Sequence, residues 1–317
     1  MIARGGVLLL VVAWAMTGSA AAAPLRIAIV SRTVFFVPLW IAERKNFLKQ
    51  ENIDATIVIY DNAEDINRDL RSGKTPIAIS TPESVILDAY RGGTLRIIAG
   101  NAERLPHFII AKPAIKSLQQ LRGATFGVLS LQEGTSYMVR ELAKAAGLKP
   151  SDYRIVAVGG APARWQLLKE GKIDVGLQPF PLSYEAEAAG FTNLGPIADY
   201  VHDYLFTSVN VGDQWAKANS QTVVAFLRAL RRGQDDMAAN PKEAAEIAAI
   251  ELSTSLPLAE RALADTKRMK ILSPDLSVSE RALRGTFEML KATDALPRAT
   301  VFDAGRMEDL RYLALSR

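Results

Sequence analysis

Leu70-Arg71-Ser72-Gly73-Lys74, leading into Ile77-Ala78-Ile79-Ser80-Thr81-Pro82, and Leu168-Lys169-Glu170-Gly171-Lys172, leading into Val175-Gly176-Leu177-Gln178-Pro179-Phe180, are two copies of one unit. Each reads as a helix end, a glycine stop, a short buried strand, and a polar or proline-bearing turn that opens another helix. In a parallel α/β sheet that last turn lies at the carboxyl end of the strand, where ligands bind. Two such turns from two similar lobes would face one another across a cleft. The pattern points to a protein that closes on a small molecule, not one that processes a polymer.

Outward from these units the chain alternates between strand and helix patterns. The apolar runs Leu25–Val30, Ala55–Tyr60, Ile77–Ile79 and Leu95–Ala99 read as strands, with helices over Pro38–Gln50, Asn62–Ser72 and Pro82–Arg91 between them. Such alternation predicts a parallel sheet with right-handed crossovers. The pattern breaks over residues 101–112 and then resumes. Strands are expected at Thr125–Leu129, Arg154–Val158 and Val175–Leu177, with helices at Ser117–Arg122, Ser136–Ala146, Pro162–Glu170 and Pro181–Ala189. After Asp199 the chain changes again: Leu205–Val211 reads as extended, and helical patterns dominate from Gln221. The division this predicts is residues 24–104 in a first lobe, 105–204 in a second, and 205–317 returning to the first as a largely helical part. The two crossings are expected near 101–112 and 199–211.

The N-terminus carries Arg4, an apolar run from Val7 to Ala15, and small residues from Gly18 to Ala23. That is the form of a cleaved secretory signal, and the run is shorter than the roughly 20 apolar residues a membrane anchor requires. Residues 1–23 are therefore read as a signal peptide, and the remainder as an exported, periplasmic protein. The leader holds one basic residue and no acidic one, which leaves 37 basic against 34 acidic residues, a formal +3. So small and dispersed an excess predicts no nucleic-acid partner. The absence of Cys excludes disulfides, zinc–thiolate sites and a thiol nucleophile. Only His107 and His202 are present, far apart and read as ordinary loop residues, so no metal site is expected. No cofactor motif is present either: there is no P-loop, Gly-rich dinucleotide loop, G-x-S-x-G elbow or H-E-x-x-H.

Several segments together resemble the periplasmic substrate-binding proteins of ABC importers, in the nitrate/sulfonate/taurine branch that also contains thiamine-pyrimidine relatives. Val37-Pro38-Leu39-Trp40-Ile41-Ala42-Glu43-Arg44-Lys45-Asn46-Phe47-Leu48 is similar to that group's P-L-x-x-A-x-x-x-G-x-F helix, and Asn52-Ile53-Asp54-Ala55 to its G-L-D-V. Asn46 and Asn52 stand where Gly is usual, and Asn tolerates the left-handed backbone. Leu168–Val175 follows L-x-x-G-x-I-D-A, whereas the first copy places Pro76 at the Asp position. Gly134-Thr135-Ser136, Ala146-Gly147-Leu148-Lys149-Pro150, Val223–Ala229 and Asn240–Ala245 also match. The resemblance implies a two-lobed, type II periplasmic binding protein fold of the α/β class, each lobe a mostly parallel sheet flanked by helices, with two hinge crossings. It further implies a small-molecule solute, a membrane permease and a separate ATPase as partners, and a monomeric chain.

Candidate ligand contacts fall at the turns that follow strands. The first loop offers Arg32, Thr33, Phe35 and Phe36: Arg32 for a bidentate contact to a carboxylate or sulfonate, the phenylalanines for stacking. The second offers the hydroxyls of Ser80 and Thr81, either of which also suits a helix cap. Glu83, in the next helical turn, is assigned to the helix dipole. In the second lobe, Leu131–Tyr137 presents Gly134, Thr135 and Ser136 at a helix start, and the second copy of the repeat presents Gln178 and Phe180. Gly159-Gly160-Ala161 reads equally as a further wall or as a tight turn. Asn101 and Asn210 lie in the expected crossings.

The ligand class this reading favours is a small organic anion, aromatic or not. The rival from another class is an enzyme of thiamine-pyrimidine synthesis. The resemblance ties those enzymes to a His and a Cys-rich segment, which this chain lacks. A periplasmic sensor subunit differs from an importer component only in its partner, which the sequence does not specify.

Overall fold

The computed structural model describes residues 24–131 and 133–317; the leader assigned to residues 1–23 lies outside the described residues. Ten strands form two five-stranded sheets. They are β1 (Leu25–Ile29), β2 (Ala55–Ile59), β3 (Ile77–Ser80), β4 (Leu95–Ala102), β5 (His107–Ala111), β6 (Thr125–Val128), β7 (Arg154–Ala157), β8 (Val175–Pro179), β9 (Thr192–Pro196) and β10 (Thr207–Gly212). One sheet runs β2-β1-β3-β10-β4 and the other β7-β6-β8-β5-β9. In the first, β1 pairs parallel with β2 and β3, and β10 lies antiparallel between β3 and β4. In the second, β6 pairs parallel with β7 and β8, and β5 lies antiparallel between β8 and β9. Each sheet is thus parallel apart from one inserted strand.

The repeated unit builds the same part of both lobes. Asn62 caps the helix Ala63–Ser72 by accepting from Asp65 N at 2.8 Å. Gly73, at φ +73°, ends that helix, and β3 then runs buried on every residue. In the second lobe Gly171, at φ +70°, follows the helix Ala161–Lys169, and β8 is buried throughout. Continuous burial is what a central parallel strand covered on both faces requires. Asn46 and Asn52 adopt φ +60° and +58°, the left-handed turns that Gly commonly makes.

Two expectations about elements differ from the structure. His107–Ala111 is strand β5, not a break in the pattern, and Ser117–Arg122 is only a 3₁₀ turn over Leu118–Leu121; Thr192–Pro196, for which the sequence pattern predicts no element, is strand β9. The strand β9 is half-buried at every position, so it shows neither the alternation nor the apolar run that marks strands in a sequence.

From Asp213 onward the chain is helical and packs on the first lobe. The helix Ser220–Ala239 lies against Val37–Arg44 so closely that a Cβ on Gly233 would stand 2.1 Å from the Pro38 carbonyl oxygen. Ion pairs tie the same surfaces: Lys45 Nζ lies 2.8 Å from Asp236 and 2.7 Å from Glu243. No helix among the described residues is long and apolar enough to cross a membrane.

Candidate functional site

Four strand ends converge between the lobes. After β1 comes Val30–Phe36, after β3 comes Thr81, after β6 comes Leu129–Glu133, and after β8 comes Phe180. The cavity they enclose measures about 20 Å³, which is room for about one water. The first lobe contributes Ser31, Thr33, Phe35 and Thr81 to its wall. The second contributes Glu133, Thr135, Gly160, Arg164 and Pro179, while His107 and Phe206 stand where the chain crosses between lobes.

The lobes touch at two glycines. A Cβ on Gly160 would lie 2.9 Å from Ser31 Cβ and 3.2 Å from the Val30 carbonyl oxygen. One on Gly134 would lie 2.5 Å from the Tyr204 hydroxyl and 2.6 Å from Glu83 Oε1. Aromatic rings floor the cleft: Phe206 meets Phe35 edge-on at 5.0 Å and His107 edge-on at 4.8 Å.

The polar groups here are unusual. Thr81 Oγ1, both carboxyl oxygens of Glu83, His107 Nδ1, Arg164 Nε and the Tyr204 hydroxyl are buried, with no hydrogen-bond partner among the described residues. An unsatisfied buried polar group costs about 1–3 kcal/mol, so most are paired. Several of them gather where the two lobes meet. Burial pushes the Glu83 carboxyl well above the usual range, and the Glu133 charge adds to the shift. Burial also raises Glu133, against the donors that hold it: Thr135 N at 2.8 Å, Ser136 N at 3.1 Å and the Thr135 hydroxyl. Arg164 is lowered to about 10 by burial, with Glu133 opposing. Its Nη2 donates to the Leu177 carbonyl at 2.9 Å and its Nη1 to Gly159 at 3.3 Å. His107 is held well below its ordinary value by burial and then by Arg164, and is neutral.

Of the residues singled out in the sequence, Thr33, Phe35, Thr81 and Thr135 line this cavity. Gly134 and Ser136 sit directly behind it at the start of the helix Gly134–Ala145. Ser80 accepts from Asn210 Nδ2 at 2.9 Å, and Asn101 Nδ2 donates to the Phe35 carbonyl at 3.1 Å and to Thr207 at 2.9 Å. These three therefore brace the turns from behind. Gln178 lies under the helix Ala161–Lys169, its amide oriented to donate to the Ala161 carbonyl and accept from Trp165 N, both at 3.2 Å. Phe36 packs edge-on against Trp40, and Phe180 stacks on Tyr184 at 5.2 Å inside the second lobe.

Arg32 is placed elsewhere. Its Nη1 lies 2.5 Å from Glu251 Oε2, in a network that also takes in Arg44, and its side chain is 47% exposed. Glu83, His107, Glu133, Arg164, Tyr204 and Phe206 were not among the sequence candidates. Glu83 complements no solvated helix end; it is fully buried against the other lobe. His107 opens a strand and is not in a loop.

This geometry defines a class of fold: two α/β lobes, each built on a five-stranded sheet, that meet over a closed cleft. Solved structures agree on the fold. A ligand-binding component of an ABC-type import system from Staphylococcus aureus superposes with a TM-score of 0.77, at 15% identity, over 92% of this chain and 98% of that one. The periplasmic aliphatic sulphonate-binding protein SsuA from Escherichia coli gives 0.67, also at 15% identity, over 90% and 91%. The fold is that of the periplasmic binding proteins. By sequence, the NMT1/THI5-like family model matches residues 34–244, and the chain belongs to that family. One relative, the 4-amino-5-hydroxymethyl-2-methylpyrimidine phosphate synthase of Candida albicans, is 26% identical over 227 residues. That alignment spans 66% of this chain and 66% of the relative's own length, just under two thirds.

Proposed function

We propose that the chain is the periplasmic solute-binding component of an ABC-type importer, closing on a small polar solute and passing it to a membrane permease driven by a separate ATPase. The observation that carries this reading is a set of buried polar atoms without partners among the described residues, on Thr81, Glu83, His107 and Tyr204 and at Arg164 Nε, drawn from both lobes and from the crossings to where the lobes meet. A solute that pairs them removes their desolvation cost only when the lobes are closed, which is how a ligand stabilises one of two conformations. We also propose that the chain acts without catalysis; it carries no Cys, and its two histidines are a neutral His107 and a distant His202.

The charge balance favours one solute class over another. The cleft holds one cation, Arg164, against two carboxyls, Glu83 and Glu133, and Arg32 is engaged with Glu251. An organic anion, the class favoured on sequence, gains little there. A flat heteroaromatic with N–H donors matches that charge better, with Glu83 and Thr81 to pair its edge and Phe35 and Phe206 to face its ring, in a cleft opened beyond the room for about one water that this form leaves. The pyrimidine in the Candida relative's name belongs to that chemical class.

A thermal-shift screen tests this, because a ligand that binds only the folded chain raises the melting temperature by RT ln(1 + [L]/Kd). Aminopyrimidines are expected to raise it and alkanesulfonates to leave it unchanged. The reverse ranking would overturn the assignment of solute class, and no response to any small solute would overturn the binding function.

A further inference from the structure

Glu83 and Glu133 come from opposite lobes and are both buried where the lobes meet. Glu83 lies in the first turn of the helix Pro82–Tyr90, and Glu133 is the N-cap of Gly134–Ala145. Their side chains are 0% and 1% exposed as residues, and Glu83 receives no hydrogen bond among the described residues. Gly134, the neighbour of Glu133, approaches so closely that any Cβ would stand 2.6 Å from Glu83 Oε1.

The groups around the pair leave it short of positive charge. Tyr137 faces it from the Gly134–Ala145 helix and Tyr204 from the crossing; burial raises the Tyr137 hydroxyl, and the two carboxyls raise it further, so it stays neutral. Arg140 and Arg91 reach Tyr137. His107 is neutral, and Arg164 faces Glu133. Among the described residues Arg164 is the guanidinium set against Glu133, and none is set against Glu83. A carboxyl buried where the lobes meet and given no donor does not stay ionised, and the Glu133 charge on the facing lobe adds to that, so the two are coupled.

We propose that Glu83 and Glu133 are a proton-holding pair that couples cleft closure to pH: the closed, solute-free form takes one proton from water, and a solute that brings an N–H donor or positive charge to Glu83 returns that proton to solvent. The solute half rests on the binding function proposed above; the closure half stands without it. In the open form Glu83 is hydrated and titrates in the ordinary carboxyl range, and Glu133 keeps the Thr135 and Ser136 donors of its own helix, which hold it lower. The closed form holds its proton to higher pH. Closure is therefore fully favoured below the open-form value, and it weakens as pH rises through the window between the two forms, by about tenfold per pH unit for one coupled proton.

Small-angle scattering of the full chain with no solute added, from about pH 5 to about pH 8, reads this directly. The radius of gyration of the natural chain is expected to rise with pH, while Glu83→Gln stays compact throughout. A flat profile for the natural chain, or a Glu83→Gln profile that titrates like it, overturns the proposal. Should circular dichroism show Glu83→Gln unfolded, Glu83→Leu carries the same expectation, because it too removes the buried carboxyl that takes the proton. With no solute present, failure here is separate from failure of the binding function, which the thermal-shift screen detects.

Discussion

Gly134 of the second lobe stands against Glu83 of the first, leaving no room for a methyl group: a Cβ there would lie 2.6 Å from Glu83 Oε1. The contact with Glu83 exists only when the cleft is shut, so Gly134→Ala strikes the closed form; the Tyr204 hydroxyl, 2.5 Å from the same Cβ, is the end of a side chain on the crossing that has to turn aside. Forcing one carbon into a packed site costs about 1–3 kcal/mol, or about 5- to 150-fold in an equilibrium. We expect solute affinity by calorimetry to fall within that range while the melting temperature without solute hardly moves. Affinity equal to that of the natural chain would show that the working closed form differs from this one.

The outer rim of the cleft has its own latch. The Tyr184 hydroxyl donates to Asp265 Oδ2, the Arg261 guanidinium lies over the Tyr184 ring at 3.8 Å, and Thr254 Oγ1 reaches Glu185 Oε1 at 3.1 Å. Tyr184 and Glu185 belong to the second lobe, the other three to the helical part on the first. Tyr184→Phe keeps the ring and removes one hydrogen bond to a charged, partly solvated acceptor, about 1 kcal/mol. The solute should leave about five times faster, with little change in the association rate, because affinity changes within one interface fall mostly on dissociation. Stopped-flow traces in which only the on-rate changes would place the latch outside the closing step.

Arg32 illustrates how charge misleads when a sequence is read alone. Its place between a first strand and a helix N-terminus suggested an anion ligand, yet the guanidinium reaches Glu251, 219 residues away, at 2.5 Å. Arg32 is half exposed and the buried Glu251 keeps Arg44 as a second partner, so this ion pair contributes about 0–1 kcal/mol. Arg32→Ala should therefore leave solute affinity within about twofold and lower stability by less than about 1 kcal/mol. A tenfold loss of affinity would return Arg32 to the site.

What the sequence disclosed and what it hid follow from the range of the interactions. The repeat Leu70–Pro82 and Leu168–Phe180, with glycines at φ +73° and +70°, is local chemistry, and it located the strand ends that form the cleft. Thr81 and Thr135 were legible for the same reason, since a hydroxyl at a helix start has a short list of roles. Glu83, Glu133 and Arg164 were not, because a charged residue in a helix reads as solvated until the other lobe is seen to cover it. Glu133 had a weak local signal, as the acceptor just before Gly134-Thr135-Ser136. Tyr204 and Phe206 sit on a crossing whose packing involves residues some 100 positions away. The strand β5 escaped because it runs antiparallel, inserted between β8 and β9, with no helix leading into it.

Asp69 gives the first lobe a dependence on acid that is separate from the cleft. Its carboxyl is 3% exposed and accepts from the Tyr60 hydroxyl at 2.6 Å, with Lys74 Nζ at 3.2 Å and Arg68 Nε at 3.5 Å. The Tyr60 hydrogen bond, more than the two cations, holds the Asp69 carboxyl below its ordinary value. The same hydroxyl lies 2.8 Å from Thr75 Oγ1, so the network joins the end of β2 to the turn before β3. A carboxyl lowered on folding contributes stability that is present above its unfolded value, about 3.9, and is lost as pH falls through the folded value. Asp69→Asn removes that contribution and keeps the shape. Urea unfolding should show the variant less stable near neutral pH, with the gap closing as pH drops below about 3.9. A gap that stays constant into acid would mean that the charge of Asp69 contributes nothing, and that the loss reflects packing around Tyr60 alone.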